Sequence, residues 1–176
     1  MTNDQLPITK LNSMRLLEQR KIPYIAKTYD AAGEFHSAID AAQFIGAPVE
    51  SVYKTLVVLR DPSTDSGRAP KTGKPILVMI ASHHEVDLKV LAKSLNEKKL
   101  RMATQKEAEA LTGLQVGGIS ALALLNRGFE VCIDEAANAL EQIHISAGQR
   151  GVDVCLGVKD LIAVTNARIV RATGDD

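Results

Sequence analysis

The sequence predicts an α+β fold, a single domain built on a mixed β-sheet, and three observations support this prediction. Two apolar runs rich in β-branched residues, Val52–Leu59 and Pro75–Ala81, are typical of paired strands in the middle of a sheet. Between Phe129 and Val170, short strands follow one another without long helices, unlike a doubly wound parallel sheet. A chain of 176 residues is long enough for one buried core and short for two.

The first half of the chain predicts two helices, a strand and a surface loop before the second apolar run. Apolar residues at helical spacing predict a first helix up to about Lys21, and Tyr24–Tyr29 is typical of a strand. Ser37 is suited to cap a second helix, which Gly46 ends. Asp61–Lys74, with its prolines and glycines, is predicted to be a surface excursion.

The second half alternates short helices and short strands. Asp87 is expected to cap a helix, and Thr104 with Glu107 forms a capping-box pattern before a helix that ends at Gly113. The other predicted elements are strands at Leu100–Met102, Phe129–Ile133, Ile143–Ser146, Asp153–Leu156 and Arg168–Val170, helices at Glu135–Leu140 and Lys159–Val164, and a loose tail at 172–176.

The composition is that of a globular protein without a membrane segment. Hydrophobic residues make up 45% of the chain, and 21 basic residues balance 21 acidic ones, which argues against a partner held by long-range attraction to a phosphate backbone. Contact with a short end of a nucleic acid is still compatible with this balance. No signal peptide or membrane span is visible, so we expect a cytoplasmic protein in which Cys132 and Cys155, both in apolar runs, are reduced and buried.

Lys54 is the first candidate site residue, because it lies inside an otherwise apolar strand. Strand alternation places it on one face with Val52, Leu56 and Val58. The ammonium group either reaches solvent at the strand end or points into a cleft where an anion meets it. The segment alone leaves both interpretations open.

Three further segments carry candidate site residues. The run Gly117-Gly118-Ile119-Ser120 can form a nest of main-chain amides for a carbonyl oxygen or phosphate, or only a turn. Ser146 and Asp153 can approach each other across a glycine-containing turn, although a plain hairpin tip explains them as well. The side chains that can wall a small pocket, or only pack at the start of the second helix, are Tyr29, Phe35 and His36.

A metal site is the rival chemistry that the residue types offer. It would use His83-His84-Glu85 with Asp87 and His144. Adjacent histidines point apart in a strand or a helix, so this pair is not expected to chelate one ion. We therefore expect no metal and no other cofactor.

Three separated motifs carry a resemblance to a known family. They are Val52–Val58, Val116–Ser120, and Ile145-Ser146 followed by Gly148, Arg150-Gly151 and Asp153. Together they resemble the YbaK subgroup of the prolyl-tRNA editing superfamily, bacterial Cys-tRNA(Pro) deacylases, and the resemblance runs in order from Leu16 to Ile169. It implies one editing domain over residues 1–176, built around a mixed barrel-like sheet.

The resemblance also implies roles for individual residues. Lys54 matches the key lysine of the family, Tyr29, Phe35 and Ser146 match pocket residues, and Asp153 matches a carboxylate beside them. The implied partners are the 3′ end of mischarged aminoacyl-tRNA and prolyl-tRNA synthetase, with no membrane and no DNA. The expected substrate is Cys-tRNA(Pro).

The chemistry follows from what the residues offer to an activated ester. No Ser-His-Asp or Cys-His arrangement is evident, so the nucleophile is expected to be the thiol of the substrate's own cysteine. Lys54 would hold phosphate or ribose oxygens of the terminal adenosine, and the glycine-loop amides would face the ester carbonyl. The expected catalytic residues are Lys54, Gly117, Gly118 and Ser120, and the expected substrate-binding residues are Tyr29, Phe35, His36, Ile119, Ser146 and Asp153.

Two departures from the family pattern leave alternatives open. Ala121 stands where the family usually has proline, and Ala147-Gly148-Gln149 replaces a Gly–Gly–Lys turn. Losing the proline ring frees φ at residue 121, which bears on the amino acid removed. The alternatives are a deacylase for Ala-tRNA(Pro) and a non-catalytic module that binds tRNA or the synthetase.

Overall fold

The structure is a computed structural model that describes residues 10–30, 37–60 and 73–174. Its strands are β1 (Tyr24–Thr28), β2 (Tyr53–Arg60), β3 (Ile76–Ala81), β4 (Leu100–Met102), β5 (Glu130–Asp134), β6 (Gln142–Gln149), β7 (Val152–Gly157) and β8 (Arg168–Val170). Its α-helices are α1 (Asn12–Gln19), α2 (Ala38–Ile45), α3 (Leu88–Ser94), α4 (Gln105–Thr112) and α5 (Val158–Thr165), with 3₁₀ turns at Val49–Ser51 and Glu135–Ala139. Within these ranges, every helix is too short or too polar to traverse a lipid bilayer.

The strands form two sheets, which confirms the α+β class. A five-stranded sheet has the order β4-β2-β3-β5-β8, with β5 parallel to β3 and β8 and the other pairs antiparallel. An antiparallel sheet of three strands has the order β1-β7-β6. The two meet at one isolated bridge between Val52 and His144, and the described strands do not close, so the expected barrel-like sheet was wrong.

The predicted helix starts are confirmed in atomic detail. The hydroxyl of Ser37 accepts the amide of Asp40, and Thr104 with Glu107 forms the reciprocal capping box. The carboxylate of Asp87 accepts two amides in the first turn of α3. Short polar side chains in front of an apolar run therefore fixed these boundaries locally.

The core lies on both faces of the five-stranded sheet. All six residues of β3 are buried, and alternate residues enter two separate apolar clusters. Cys132 and Cys155 are free and buried, as expected, and burial raises the pKa of the Cys132 thiol to about 12. A thiol with such a pKa is a packing group and not a nucleophile.

The C-terminal segment packs against the fold up to Ala172, which is further along the chain than the sequence indicated. Ala172, expected in a loose tail, is fully buried; its amide donates to Asp134 and its carbonyl accepts the amide of Asp87, both at 2.8 Å. The predicted excursion Asp61–Lys74 falls mostly on residues 61–72, which lie outside the described ranges.

Candidate functional site

A cavity of about 420 Å³ lies between β2 and the sheet of three strands. Its walls come from the residue after β1, from β2, β4, β6 and β7, from the first turn of α2, from α4 and from the glycine loop. The polar residues that line it are Tyr29, Ser37, Tyr53, Lys54, Thr55, Ser82, Glu85, Gln105, Ser146 and Asp153. Elements distant in the sequence thus converge on one space large enough for a small ligand.

Lys54 lines this cavity. It pairs with Ile80 of β3, on the sheet face where Val58 is buried and Leu56 packs, so the alternation predicted from the sequence is confirmed. Its Nζ lies 3.5 Å from Oε1 of Glu85, whose side chain is 91% exposed. Such an exposed pair is weak and easily exchanged for another anion. Of the two interpretations of Lys54, the structure supports the cleft.

Asp153 and Ser146 face each other across the β6–β7 pair, and both line the cavity with Tyr29. Asp153 is 5% exposed, and burial raises the pKa of its carboxyl to about 6. Burial, followed by the charge of Asp153, raises the pKa of Tyr29 to about 12. The Ser146 hydroxyl accepts the amide of Gly148 at 3.1 Å, which orients it. This end of the cavity therefore holds a buried carboxyl whose pKa is raised above its usual range.

The glycine loop contributes to the cavity only in part. Gly117, at φ +93°, and Ile119 line it. The amide of Gly118 donates to the carbonyl of Gln115 at 2.8 Å, and a Cβ at this position would lie 2.8 Å from the amide nitrogen of Arg150. Gly118 therefore closes a turn and permits close backbone packing, a task that glycine alone performs here.

Ser120 also lies away from the cavity lining. It is completely buried, and its hydroxyl accepts the amide of Ala123 at 3.3 Å. The loop is held in place from the other side, because Nε of Arg150 donates to the carbonyl of Val116 at 2.7 Å. The structure thus brings together Lys54, Gly117, Ile119, Tyr29, Ser146 and Asp153, and it places Gly118 and Ser120 behind them. Phe35 and His36 lie outside the described residues.

The histidine pair differs from the expectation. His83 and His84 lie in the turn after β3, not in a strand or helix, and their rings are 4.1 Å apart at the centroids. The premise that they point apart was wrong. Even so, across residues 10–30, 37–60 and 73–174, no three His, Cys, Asp or Glu side chains gather as a metal-ligand set.

Several polar cavity residues were not among the site residues predicted from the sequence. Ser37, singled out only as a helix cap, also lines the cavity, and so do Thr55, Glu85 and Gln105. Thr55 directly follows Lys54, and Gln105 directly follows the capping residue Thr104. Their proximity to these two marked positions was the available signal, but nothing in the sequence shows that β2 and α4 face the same space.

Comparisons with known proteins agree with this fold. The model of the aminoacyl-tRNA editing domain family matches residues 32–164. The chain is 35% identical over 166 residues to the "Putative Cys-tRNA(Pro)/Cys-tRNA(Cys) deacylase EbsC" of Enterococcus faecalis, covering 93% of each protein. It is 24% identical over 115 residues to the proline–tRNA ligase of Staphylococcus aureus strain Newman, covering 65% of this chain but 18% of the ligase.

A solved structure shares the fold along nearly the whole chain. It is the "Crystal structure of a putative trans-editing enzyme for prolyl tRNA synthetase", with a TM-score of 0.73 and 22% identity, covering 95% of this chain and 100% of that one. The family match spans most of the chain, and the chain therefore belongs to the aminoacyl-tRNA editing domain family.

Proposed function

We propose that this protein is a trans-editing aminoacyl-tRNA deacylase that clears mischarged tRNA, above all Cys-tRNA(Pro). The observation that carries the proposal is the pair of opposite charges lining one cavity, the Lys54 ammonium and the buried Asp153 carboxyl. The 3′ end of an aminoacyl-tRNA carries both matching charges: an α-ammonium on the amino acid and phosphates on the adenosine side.

Asp153 is suited to the ammonium end. Among the described residues its carboxyl has no hydrogen-bond donor or cationic partner, and a buried carboxylate without a partner is costly. A substrate ammonium would supply that partner and favour the ionised form. Lys54, on β2, would then hold ribose or phosphate oxygens, releasing its weak contact with Glu85.

The chemistry needs positioning more than a protein nucleophile. In the proposed step the thiol sulfur of the esterified cysteine bonds to its own ester carbonyl carbon, the ester C–O bond breaks, and the ribose hydroxyl leaves with the thiol proton. Holding the two groups together supplies an effective molarity on the order of 10⁵ M or more. Prolyl-tRNA synthetase, the source of the mischarged tRNA, is the proposed partner.

The test is deacylation of tRNA(Pro) charged with cysteine, serine, alanine or proline. Cysteinyl ester should disappear fastest, and the seryl ester, with oxygen in place of sulfur, should be much slower. Lys54→Ala should slow the cysteinyl reaction about 100-fold, the size expected for one lost electrostatic contact to the reacting end. The control is Lys106→Ala, a lysine next to Gln105 that does not line the cavity.

The outcomes separate the candidate functions. Alanyl ester lost as fast as cysteinyl ester would replace self-attack by a water reaction and favour an Ala-tRNA(Pro) deacylase. Tight tRNA binding with no turnover of any ester would favour the non-catalytic binding module over the deacylase. Equal losses for Lys54→Ala and Lys106→Ala would remove Lys54 from the site.

A further inference from the structure

One stretch of β2 presents an unpaired main-chain edge to the cavity. The carbonyl of Val57 accepts the amide of Ala103 at 3.0 Å, so the main chain of Val57 faces β4. In an antiparallel strand, every second residue presents its N–H and C=O to the same side. Thr55 therefore faces this side as well. The residues between them in the alternation face β3 instead, as Val52 shows, because its carbonyl accepts the amide of Ser82 on the β3 side.

On the side of β2 away from β3, no described strand pairs with Thr55. The ladder with β4 begins at Val58, and the bridge to His144 of β6 lies at Val52. Between these points β2 forms a wall of the cavity. Within the described ranges, the N–H and C=O of Thr55 have no hydrogen-bond partner, whereas those of Lys54 and Leu56 belong to the β2–β3 ladder.

An open strand edge in a cavity is a specific kind of site. Main-chain groups away from bulk water are almost always paired, and an exposed edge accepts any ligand with the donor and acceptor spacing of a strand. An α-aminoacyl ester has that spacing, because its ammonium and its carbonyl are separated by one Cα, like the N–H and C=O of a single residue.

We propose that the aminoacyl group binds as a one-residue strand against Thr55. The N–H of Thr55 donates to the ester carbonyl, and its C=O accepts from the α-ammonium. This inference rests on the proposed function and deepens it, since it assigns an amide donor that the glycine loop does not fully supply: the Gly118 amide is already used within its own turn.

The Thr55 contact involves only the α-ammonium and the ester carbonyl, which all α-aminoacyl esters share. It places any aminoacyl ester in one orientation without regard to its side chain. Preference for cysteine then comes from the thiol's reactivity, and the Thr55 contact alone would not distinguish cysteine from alanine.

The test replaces one main-chain amide by an ester. Incorporating the α-hydroxy analogue of threonine at position 55 removes the N–H and keeps the side chain. The matched control is the same change at Thr28, whose amide faces the outer side of β1, because Tyr29 pairs with Gly151 of the β6–β7 turn on the other side. Thr28 does not line the cavity, and both changes weaken one ladder carbonyl equally.

The probe is a non-hydrolysable adenosine that carries cysteine in a 3′-amide linkage. Binding should weaken about tenfold for the ester at 55 and less than twofold for the ester at 28. Thermal unfolding of the two ester variants checks that they are equally folded.

The possible results separate the Thr55 contact from the proposed function. Equal binding by the two ester variants, while the parent binds the probe, overturns the Thr55 contact and leaves the proposed function standing. Failure of the parent to bind the probe or to deacylate any tRNA overturns both.

Discussion

Two buried carboxyl groups at the ends of strands show how structure and function divide in this protein. Asp134, at the end of β5, is 3% exposed, and Asp153, near the start of β7, is 5% exposed. Asp134 accepts the amides of Ala136 and Ala172 at 3.2 and 2.8 Å. Asp153 has no such donor among the described residues and lines the cavity.

The difference teaches that burial by itself does not mark a functional group. A buried carboxylate with its hydrogen bonds made holds the fold together, here by fixing the C-terminal segment against β5. A buried carboxylate without partners is unstable until a ligand provides them. The two positions should therefore respond in opposite ways to substitution.

The largest expected effect is on stability at Asp134. Asp134→Ala leaves the buried amide of Ala172 and the part-buried amide of Ala136 without acceptors, and an unsatisfied buried group costs about 1–3 kcal/mol. We expect the free energy of unfolding to fall by about 2–5 kcal/mol in urea denaturation. Deacylation per folded molecule should stay within about twofold, and a specific loss of activity in folded protein would contradict the structural role.

Asp153→Asn should instead stabilise the protein, by an amount that depends on pH. The pKa of Asp153 is raised from 3.8 to about 6 in the folded state. Its stabilising contribution is complete below pH 3.8 and is lost as the pH rises through about 6. Above pH 7 the asparagine variant should therefore be more stable than the parent by about 3 kcal/mol, at 1.36 kcal/mol for each pKa unit. The measurement is the free energy of unfolding of the parent and of the variant between pH 4 and 8. If it changes with pH in the same way for both proteins, Asp153 has a partner in solution.

The same substitution should impair catalysis. Without the carboxylate, the substrate ammonium loses its partner, and we expect kcat/KM to fall about 10- to 100-fold, mainly through KM. The parent's kcat/KM should rise with pH through about 6 as Asp153 ionises. The kcat/KM of Asp153→Asn should not rise with pH in this range. If the variant keeps the rise, the titration belongs to another group.

The smallest expected effect is at Glu85. Its carboxylate touches Nζ of Lys54 at 3.5 Å but is 91% exposed, so the pair contributes little. Glu85→Gln should leave stability unchanged within about 0.5 kcal/mol and should lower KM slightly, because it frees Lys54 for the substrate. A tenfold change in kcat would show that Glu85 takes part in the reaction.

Local elements of the fold were predictable because their signals are local. Ser37, Asp87 and Thr104 precede their helices and satisfy amides within the next turn, so each boundary depends on a few adjacent residues. The alternation in β2 likewise follows from strand geometry. The same geometry drew attention to Lys54, because a cation in an apolar strand is conspicuous in the sequence, and Lys54 does line the cavity.

Other features depended on contacts between distant segments. The glycine loop was predicted as a donor nest, yet the Gly118 amide is used inside its own turn and Ser120 is buried, which depends on how Arg150 and Val116 pack. The histidine pair lies in a turn that the pattern did not indicate. The unpaired edge at Thr55 depends on where β4 stops pairing with β2.

The sequence by itself determined the α+β class, the caps, the strands and the unusual lysine, since each follows from neighbouring residues and periodicity. Within the part of the chain that the structure describes, tertiary structure alone decided that the Asp153 carboxyl and the Thr55 main chain have no partner and that both line one cavity. The physical reason is that hydrogen-bond satisfaction belongs to pairs of groups: Asp134 and Asp153 differ only in what the rest of the chain places beside them.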